Sequence, residues 1–549
     1  MSGSQSFKPP ALPVVLTEKS SRCVIIPRMN IPVETLPDDP AVARYIASLR
    51  EQHEQQVSIL LEQIRHLRQL LFGRRSERLP VDATTVQLPL FDLPEPEHIE
   101  PVKVTVESHD RKKPGRKPLP PELPRVTITH DLPEDEKVCG CGCALHRIGE
   151  EVSEQLDIVP ARIQVLRHIR PKYACRRCEG GENEGPAVRI APMPPQIIPQ
   201  SIVSPGLLAH VLTAKFVDHL PLYRQEKLFA RLGVEIGRAT MSNWAMRAAT
   251  ACVPLLNLVY DHILDGQLIN IDETTVQVLA EPGRAATATS YMWLFRRGDP
   301  DRPALIYQYH PTRAGDVAKT FLGDYQGIVQ TDGFSSYDFL DRQAGVRHAG
   351  CWAHVRRKFM EVVKAQGKNR TSGSADQALS TIQQLYGLEK EARAKHWSPK
   401  MIRAMRTEKA RSILVAFHQW LTKRSTQTPP KGLLGKAISY ALNQWDRLLV
   451  YLEDPILTPD NNMAENSIRP FVLGRKNWLF AGTPKGAEAS ASLYSLIETA
   501  KANNCEPYSY LRHIFEHLPR AHTLADYEAL LPWNVDRINI MLRYAQVVD

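Results

Sequence analysis

The most constraining feature of the chain is a succession of short apolar segments between residues 265 and 365. Three strand-like segments come first, "GQLINIDETTVQV", "SYMWLFRRG" and "ALIYQYHPTR", and the short helical segment "AGDVAKTFLGDY" follows them. A fourth strand-like segment, "GIVQTDGFSSY", and a fifth, "VRHAGCWAH", then lead into the basic helix "VRRKFMEVVK". The predicted order is therefore strand-strand-strand-helix-strand-helical turn-strand-helix, which indicates a domain that combines a sheet with helices.

This order matches an RNase H-like α/β core, and the match predicts where acidic side chains meet. In such a core an Asp on the first strand lies beside an Asp that follows the fourth strand. Asp272 and Asp332 occupy these two positions. We expect a catalytic domain over residues 265–500, with a helical insertion at about 366–455. The fold class is multidomain α+β.

A third carboxylate must come from a later helix, and the stretch "LTPDNNMAENSIRP" supplies Glu465. We predict a short helix that begins after Pro459 and ends at Pro470. On such a helix Asn462, Glu465, Asn466 and Arg469 share one face through i, i+3, i+4 and i+7 spacing. The polar side chains suit a helix that lines a cleft, and a surface helix with a loose ion pair is the alternative.

Three carboxylates close together repel one another unless a cation neutralises them. Two Mg²⁺ ions about 4 Å apart, bound by Asp272, Asp332 and Glu465, would do so and would promote chemistry on a phosphodiester. Hard oxygen ligands explain why the pattern uses carboxylates rather than His or Cys.

Basic and polar residues suited to DNA occur in four stretches of the chain, 113–117, 242–247, 354–357 and 462–478. A helical hairpin within 200–260, "YRQEKLFARLGVEIGRATMSNWAMRAA", has helix-turn-helix spacing, with an ordinary hairpin as the alternative. Trp478 could stack on an unpaired base or pack against the sheet. The predicted DNA-binding residues are Lys113, Arg116, Lys117, Ser242, Asn243, Arg247, His354, Arg356, Arg357, Asn462, Asn466, Arg469, Arg475, Lys476 and Trp478.

Five of the nine cysteines fall within one short module, which we place at 136–185. Cys175 and Cys178 form a C-x-x-C pair, and Cys139, Cys141 and Cys143 lie about 35 residues earlier, which is a spacing suited to structural Zn²⁺. Four of the five thiols would bind the ion, and which of the first three do so stays open. Free surface thiols are the alternative.

The remaining segments are assigned from composition and periodicity. We expect residues 1–41 to be disordered and residues 75–135 to be a proline-rich linker, whose stretch "RKKPGRKPLP" either lies in a minor groove or is a solvated basic linker. Residues 42–74 show the 3-4 spacing of a leucine-zipper-like helix, with a helix packed in a local bundle as the alternative. Residues 501–549 form a C-terminal helical segment.

The formal charge is +9 and the isoelectric point is about 9.0, which favours an acidic partner such as DNA. There is no signal-peptide pattern and no apolar run of membrane-spanning length. These features predict a cytoplasmic, nucleoid-associated protein without a membrane partner.

Several stretches resemble the transposases of the bacterial insertion-sequence family numbered sixty-six. They are "LFGRRSER", "ALHRIGEEVSEQLDIVPA", "IDETTVQV", "QTDGFSSY", "GCWAHVRRKF", "DNNMAENSIRPFVLGRKNWLFAG" and "LYSLIETAKANNCEPYSYL". The resemblance covers about residues 45 to 520. It implies a DDE transposase with Asp272, Asp332 and Glu465 as the triad, Mg²⁺ as cofactor and terminal inverted repeats as the DNA bound. It also implies small accessory proteins encoded by the same element.

Three functions are weighed against one another. The leading hypothesis is metal-dependent cleavage and transfer of DNA strands by a homo-oligomer in a synaptic complex with element ends and target. The alternatives are a catalytically idle DNA-binding regulator and an RNase H-like nuclease without transfer activity. The presence of all three acids favours an enzyme over a regulator.

Overall fold

The computed structural model describes residues 163–174, 188–366 and 372–545, together with a few helical positions between 48 and 64. The chain divides into two compact units. The helical unit comprises Met1–Gly73 and Trp352–Asp446, and the sheet unit comprises Arg74–Cys351 and Arg447–Asp549. The predicted zinc ligands and the basic linker residues Lys113, Arg116 and Lys117 lie outside the described residues.

Seven strands occur in the described ranges, and they form two sheets. They are β1 (Lys172–Ala174), β2 (Val188–Ile190), β3 (Leu268–Gln277), β4 (Thr289–Arg297), β5 (Leu305–His310), β6 (Gly327–Gln330) and β7 (Val346–Ala349). The first two pair antiparallel as a small separate sheet. The other five form one mixed sheet in the order β5-β4-β3-β6-β7, in which β3 pairs antiparallel with β4 and parallel with β6.

The helices described are numbered in chain order, and α6 to α10 belong to the helical unit. They are α1 (Pro205–Phe216), α2 (Leu222–Arg231), α3 (Arg238–Ala251), α4 (Val253–Leu264), α5 (Gly315–Leu322), α6 (Trp352–Gln366), α7 (Ser374–Ala394), α8 (Pro399–Met405), α9 (Arg411–Gln427), α10 (Leu433–Asn443), α11 (Trp445–Leu449), α12 (Asn462–Trp478), α13 (Pro484–Ala502), α14 (Pro507–His517), α15 (Leu524–Ala529) and α16 (Arg537–Ala545). None of these helices is both long and apolar enough for a membrane span.

Alternation along β3 and β4 gives the large sheet two apolar faces. Ile269, Ile271, Trp293 and Phe295 point to one face, where they form a core with α4 and α5. The alternate side chains, among them Val276, Met292 and Leu294, point to the other face, and Val278 follows β3 on that side. There they join a larger core with helices α1, α3, α12, α13 and α14. Residues 272 and 273 therefore face opposite sides of the sheet.

Helix α13 covers the edge strand β5 and bonds to its backbone. Ser495 Oγ accepts a hydrogen bond from the Tyr307 N–H at 2.7 Å, and Thr499 Oγ1 accepts one from the Leu305 N–H at 3.0 Å. The Thr499 hydroxyl also donates to the Leu305 carbonyl at 3.1 Å. These hydroxyls satisfy an edge that would otherwise be open to another strand.

The helical unit has its own core. The ring of Trp352 makes an edge contact with Trp445 at 5.8 Å, and both side chains are buried. Arg406 and Glu389 form a buried ion pair with Nε and Oε1 2.8 Å apart. The second segment of this unit begins at Trp352, so the unit includes the basic helix α6 as well as helices of the predicted insertion.

The helix that carries Glu465 is longer than predicted. We expected Pro470 to end it, but α12 continues through Pro470 to Trp478. A helical Pro lacks the N–H that would bond to the carbonyl four residues earlier, and its ring crowds that carbonyl; here the carbonyl belongs to Asn466, which is exposed. Buried contacts of Ile468 and Phe471 on either side of Pro470 hold the helix together.

Candidate active site

The large sheet brings Asp272 of β3 close to Asp332, which follows the end of the neighbouring parallel strand β6. The last residue pair that β3 and β6 share is Asn270 and Gln330, and each aspartate lies two residues beyond it. Because side chains alternate along a strand, both aspartates continue the face on which Asn270 and Gln330 bond to each other, with Nδ2 and Oε1 2.9 Å apart. The two carboxylates therefore emerge at one end of the sheet.

A buried amide network attaches the start of α12 to the same face. Asn461 precedes the helix and is 1% exposed. Its Nδ2 donates to the Ile271 carbonyl at 2.8 Å, and its Oδ1 accepts from Asn270 Nδ2 at 3.0 Å. The backbone carbonyl of Asn461 accepts from the Glu465 N–H at 3.2 Å. One asparagine thus links the residue before Asp272 to the first turn of the Glu465 helix.

Further contacts hold α12 on the sheet. The Tyr307 hydroxyl of β5 donates to the carbonyl of Ser467, and Arg296 Nη1 of β4 lies 3.6 Å from Met463 Sδ. Ala464 and Phe471 are buried in the core beneath the helix. The orientation of the helix is therefore set by both sheet and core.

The electrostatics of Asp272 reflect this convergence of acids. Burial raises the pKa of Asp272 well above its ordinary value, and the negative charges of Glu273, Glu465 and Asp332 raise it further. A hydrogen bond from the Glu273 N–H to Asp272 Oδ1, at 2.9 Å, acts in the opposite direction. Like charges that raise a pKa in this way are relieved when a cation binds.

The donor set fits a hard divalent cation. Asp272, Asp332 and Glu465 offer only carboxylate oxygens, which Mg²⁺ prefers. One oxygen of Asp332, Oδ1, accepts from the Phe334 N–H at 3.0 Å, which orients the group. The convergence of three acids on one face of the sheet, where burial and like charges raise the pKa of Asp272, supports a cation here.

Glu273, which is buried on the opposite face of β3, was not predicted as a site residue from the sequence. Its side chain is 1% exposed, and Arg313 and the Tyr337 hydroxyl bond to its two oxygens. Burial raises the pKa of Glu273, whereas the bond from Tyr337 lowers it. The adjacent acids Asp272 and Glu273 were the signal in the sequence that pointed to a second buried acid, because alternation along a strand places them on different faces.

The predicted helix-turn-helix residues lie on α3. Asn243 and Arg247 are exposed, Ser242 is partly buried, and Trp244 points into the core. Helix α2 ends at Arg231, and Gly233 makes the turn with φ +79°. The sheet unit thus presents a polar face of α3 on its surface.

The other predicted DNA contacts are distributed over α6 and α12. Arg356, Arg357, Asn466 and Lys476 are exposed, whereas His354, Asn462, Arg469, Arg475 and Trp478 are partly buried. Arg475 Nη1 donates to the hydroxyls of Thr274 and Thr275 at 3.2 and 3.0 Å. Trp478 packs edge-on against Phe471 at 5.5 Å, which favours the packing alternative over base stacking.

Together these features define a multidomain α+β protein with a carboxylate cluster at one end of a mixed sheet. Comparison with known families places it more narrowly. The model described as "Transposase IS66 family" matches residues 200–489, and the "zinc-finger binding domain of transposase IS66" matches 136–179. The "IS66 C-terminal element" matches 495–533, and "Transposase C of IS166 homeodomain" matches 59–128. The chain belongs to the IS66 transposase family, which confirms the resemblance seen in the sequence.

Relatives along nearly the whole chain occur in Sinorhizobium fredii (strain NBRC 101917 / NGR234). The uncharacterized protein y4jD is 34% identical over 507 residues, which cover 88% of this chain and 96% of y4jD. The uncharacterized protein y4qI is 29% identical over 550 residues, which cover 92% of this chain and 99% of y4qI. The similarity therefore extends over the N-terminal modules as well as the sheet.

Proposed function

We propose that this chain is a DDE transposase that binds the terminal inverted repeats of an insertion element and catalyses metal-dependent DNA cleavage and strand transfer. The observation that carries the proposal is the position of Asp272 on β3 and of Asp332 just after the adjacent parallel strand β6, with Glu465 on a helix attached to the same face. The strand order β5-β4-β3-β6-β7 supports an RNase H-like core. Membership of the IS66 family supports DNA as the partner.

Asp272, Asp332 and Glu465 would hold two Mg²⁺ ions. When bound there, the ions would supply Lewis-acid stabilisation of the charge that develops on a phosphodiester. The protein's own part is to bring the three acids together and to orient them. The N–H groups of Glu273 and Phe334 orient the two aspartates, and Asn461 fixes the start of the Glu465 helix.

The N-terminal modules would supply recognition and assembly. The zinc-finger match at 136–179 supports structural Zn²⁺ held by four of Cys139, Cys141, Cys143, Cys175 and Cys178. Val57, Leu60 and Ile64 are helical and exposed, as expected for a zipper seam that a second chain covers. We therefore propose a homo-oligomeric complex, with exposed Asn243 and Arg247 of α3 facing element DNA.

A strand-transfer assay with labelled element ends and a supercoiled target tests this proposal. Wild type should yield cleaved ends and joined products in Mg²⁺. Asp332→Asn should bind ends normally and abolish both products, because an amide cannot replace an anionic metal ligand. Asp301→Asn is the matched control, since the Asp301 side chain is 89% exposed.

The outcomes separate the alternatives. Cleavage without joining would indicate an RNase H-like nuclease, and end binding without cleavage would indicate a regulator. Near-normal products from Asp332→Asn would exclude the assignment of the triad.

A further inference from the structure

Arg313 occupies a fixed position beside the carboxylate cluster, in the loop between β5 and α5. We propose that Arg313 is a phosphate-binding residue of this active site and that Glu273 is its positioning residue. The ligand would be a phosphate of the DNA strand close to the bond that is cut. This inference rests on the proposed function and adds a cationic group to the three acids.

Contacts on three sides hold Arg313. Its guanidinium lies 3.6 Å from the centre of the Phe334 ring, and Glu273 pairs with its Nε and Nη2. Its carbonyl accepts from Ser336 Oγ at 2.9 Å. Phe334 and Ser336 belong to the turn that follows Asp332, so the Arg313 loop and the Asp332 loop are joined.

Gly315 permits this close approach of the two loops. A Cβ added at Gly315 would lie 2.2 Å from the Ser336 carbonyl oxygen, which is far inside van der Waals contact. Only a residue without a side chain fits this position without moving the backbone. The loop geometry that places Arg313 is therefore built into the sequence.

Glu273 is unsuited to bind a metal itself. Both of its oxygens are engaged, one by Arg313 and the other by the Tyr337 hydroxyl, and its side chain is almost fully buried. Tyr337 is buried as well and makes an edge contact with Trp293 at 6.0 Å. The role left for Glu273 is to orient a cation.

Arg313 retains capacity for a ligand. Its side chain is 34% exposed, and within the described parts of the chain its Nη1 makes no hydrogen bond or ion pair. Its Nη2 lies 3.9 Å from Asp332 Oδ2, which is too long for a hydrogen bond. A guanidinium with free N–H groups matches the oxygens of a phosphate.

The position of Arg313 explains why the ligand should be a phosphate of the substrate. A cation held only to neutralise Asp332 would compete with the metal for that carboxylate. Glu273 instead holds the guanidinium on the face of β3 opposite to Asp272. One edge of the guanidinium points toward Asp332, with Nη2 and Oδ2 3.9 Å apart. A phosphodiester at these acids would place anionic oxygens beside that edge.

The test combines salt-dependent binding with single-turnover cleavage of an element-end duplex. In Ca²⁺, which shares the oxygen-ligand preference of Mg²⁺, Arg313→Ala should reduce the slope of log K against log[salt] by about 0.9, the value for one phosphate contact. In Mg²⁺, Arg313→Ala should slow cleavage by roughly 10–100-fold, because a misplaced phosphate loses that much rate. Arg313→Lys should keep the binding slope and recover part of the rate.

Glu273→Gln examines the positioning role separately. This variant should keep the wild-type salt slope of binding and cleave DNA more slowly. The double variant with Arg313→Ala should cleave no more slowly than Arg313→Ala alone, since Glu273 acts through Arg313. Arg342→Ala, an exposed arginine of the turn Ser335–Arg342, should behave as wild type. Melting curves establish that each variant is folded at the assay temperature.

Two results would overturn the inference. One is an Arg313→Ala variant that is folded and retains the wild-type slope and cleavage rate, which would make Arg313 a structural ion-pair partner. The other is independent, additive losses from the two single variants. Because the binding slope does not require cleavage, failure of wild type to cut DNA would count against the proposed function and leave this measurement intact.

Discussion

Replacing Asn461 by alanine should destabilise the sheet unit and displace Glu465 relative to the two aspartates. The side chain is 1% exposed and makes two buried hydrogen bonds, one to the Ile271 carbonyl and one from Asn270 Nδ2. Each such bond contributes about 1 kcal/mol, and leaving its buried partners unsatisfied adds about 1 kcal/mol or more. The expected loss in the free energy of unfolding is therefore about 3 kcal/mol.

The assay is thermal melting of the full chain followed by near-ultraviolet circular dichroism. For a unit as large as Arg74–Cys351 with Arg447–Asp549, about 3 kcal/mol corresponds to a decrease in Tm of roughly 4–5 °C. Well below both melting temperatures, DNA cleavage should also fall by up to about 100-fold, since a shift of about 1 Å at a catalytic group has that effect.

The matched control is Asn477→Ala, in the same helix. Asn477 is exposed, and its side chain makes one bond of 3.3 Å to the Leu473 carbonyl. Its Tm should change little, because surface substitutions are usually within about 0.5 kcal/mol. If Asn461→Ala melted within a degree of wild type and cleaved normally, the amide network would not hold the Glu465 helix, and the reasoning would be refuted.

Three further predictions concern other parts of the chain. Burial lowers the pKa of Lys215 to about 8, so the unfolded state binds more protons than the folded state between pH 8 and 10.5. Over that range the Tm of wild type should rise relative to the Tm of Lys215→Met, and a constant difference between the two Tm values would contradict this. Gly315→Ala should lower the free energy of unfolding by about 1–3 kcal/mol and the Tm with it, because the added Cβ would meet the Ser336 carbonyl. An unchanged Tm would show that the two loops separate easily. Metal analysis should find about one zinc per chain. The double variant Cys175→Ser with Cys178→Ser should lose the zinc and be cleaved more readily by proteases within 136–185. Full zinc content in the double variant would show that Cys175 and Cys178 are not zinc ligands.

The strand order and the three acids were accessible from the sequence because they depend on local patterns. Short apolar runs of strand length identified the segments that became β3 to β7. Asp272 stood near the middle or end of the first segment, Asp332 ended the fourth, and Glu465 followed a helix-start signal. Each of these signals extends over fewer than about ten residues, which is the range that single-sequence reasoning handles best.

The missed features depend on contacts between distant segments. Arg313 and Tyr337 are 40 and 64 residues away from Glu273, and no local pattern relates them. Asn461 resembled an ordinary helix-start residue, yet its side chain bonds to a strand 190 residues earlier. The helix also continued through Pro470 because tertiary packing outweighs the lost hydrogen bond, and packing is not visible in a local stretch.

The most direct measurement of the central claim is single-turnover cleavage of a labelled element-end duplex by Glu465→Gln in Mg²⁺, with end binding measured on the same preparation. Glu488→Gln serves as the control, since Glu488 is exposed on the neighbouring helix α13. We expect end binding close to wild type and a cleavage rate lower by about 10³-fold or more, because a metal ligand supports several kcal/mol of transition-state stabilisation. Normal cleavage by Glu465→Gln would exclude Glu465 from the triad and would mean that the third carboxylate lies elsewhere in the chain.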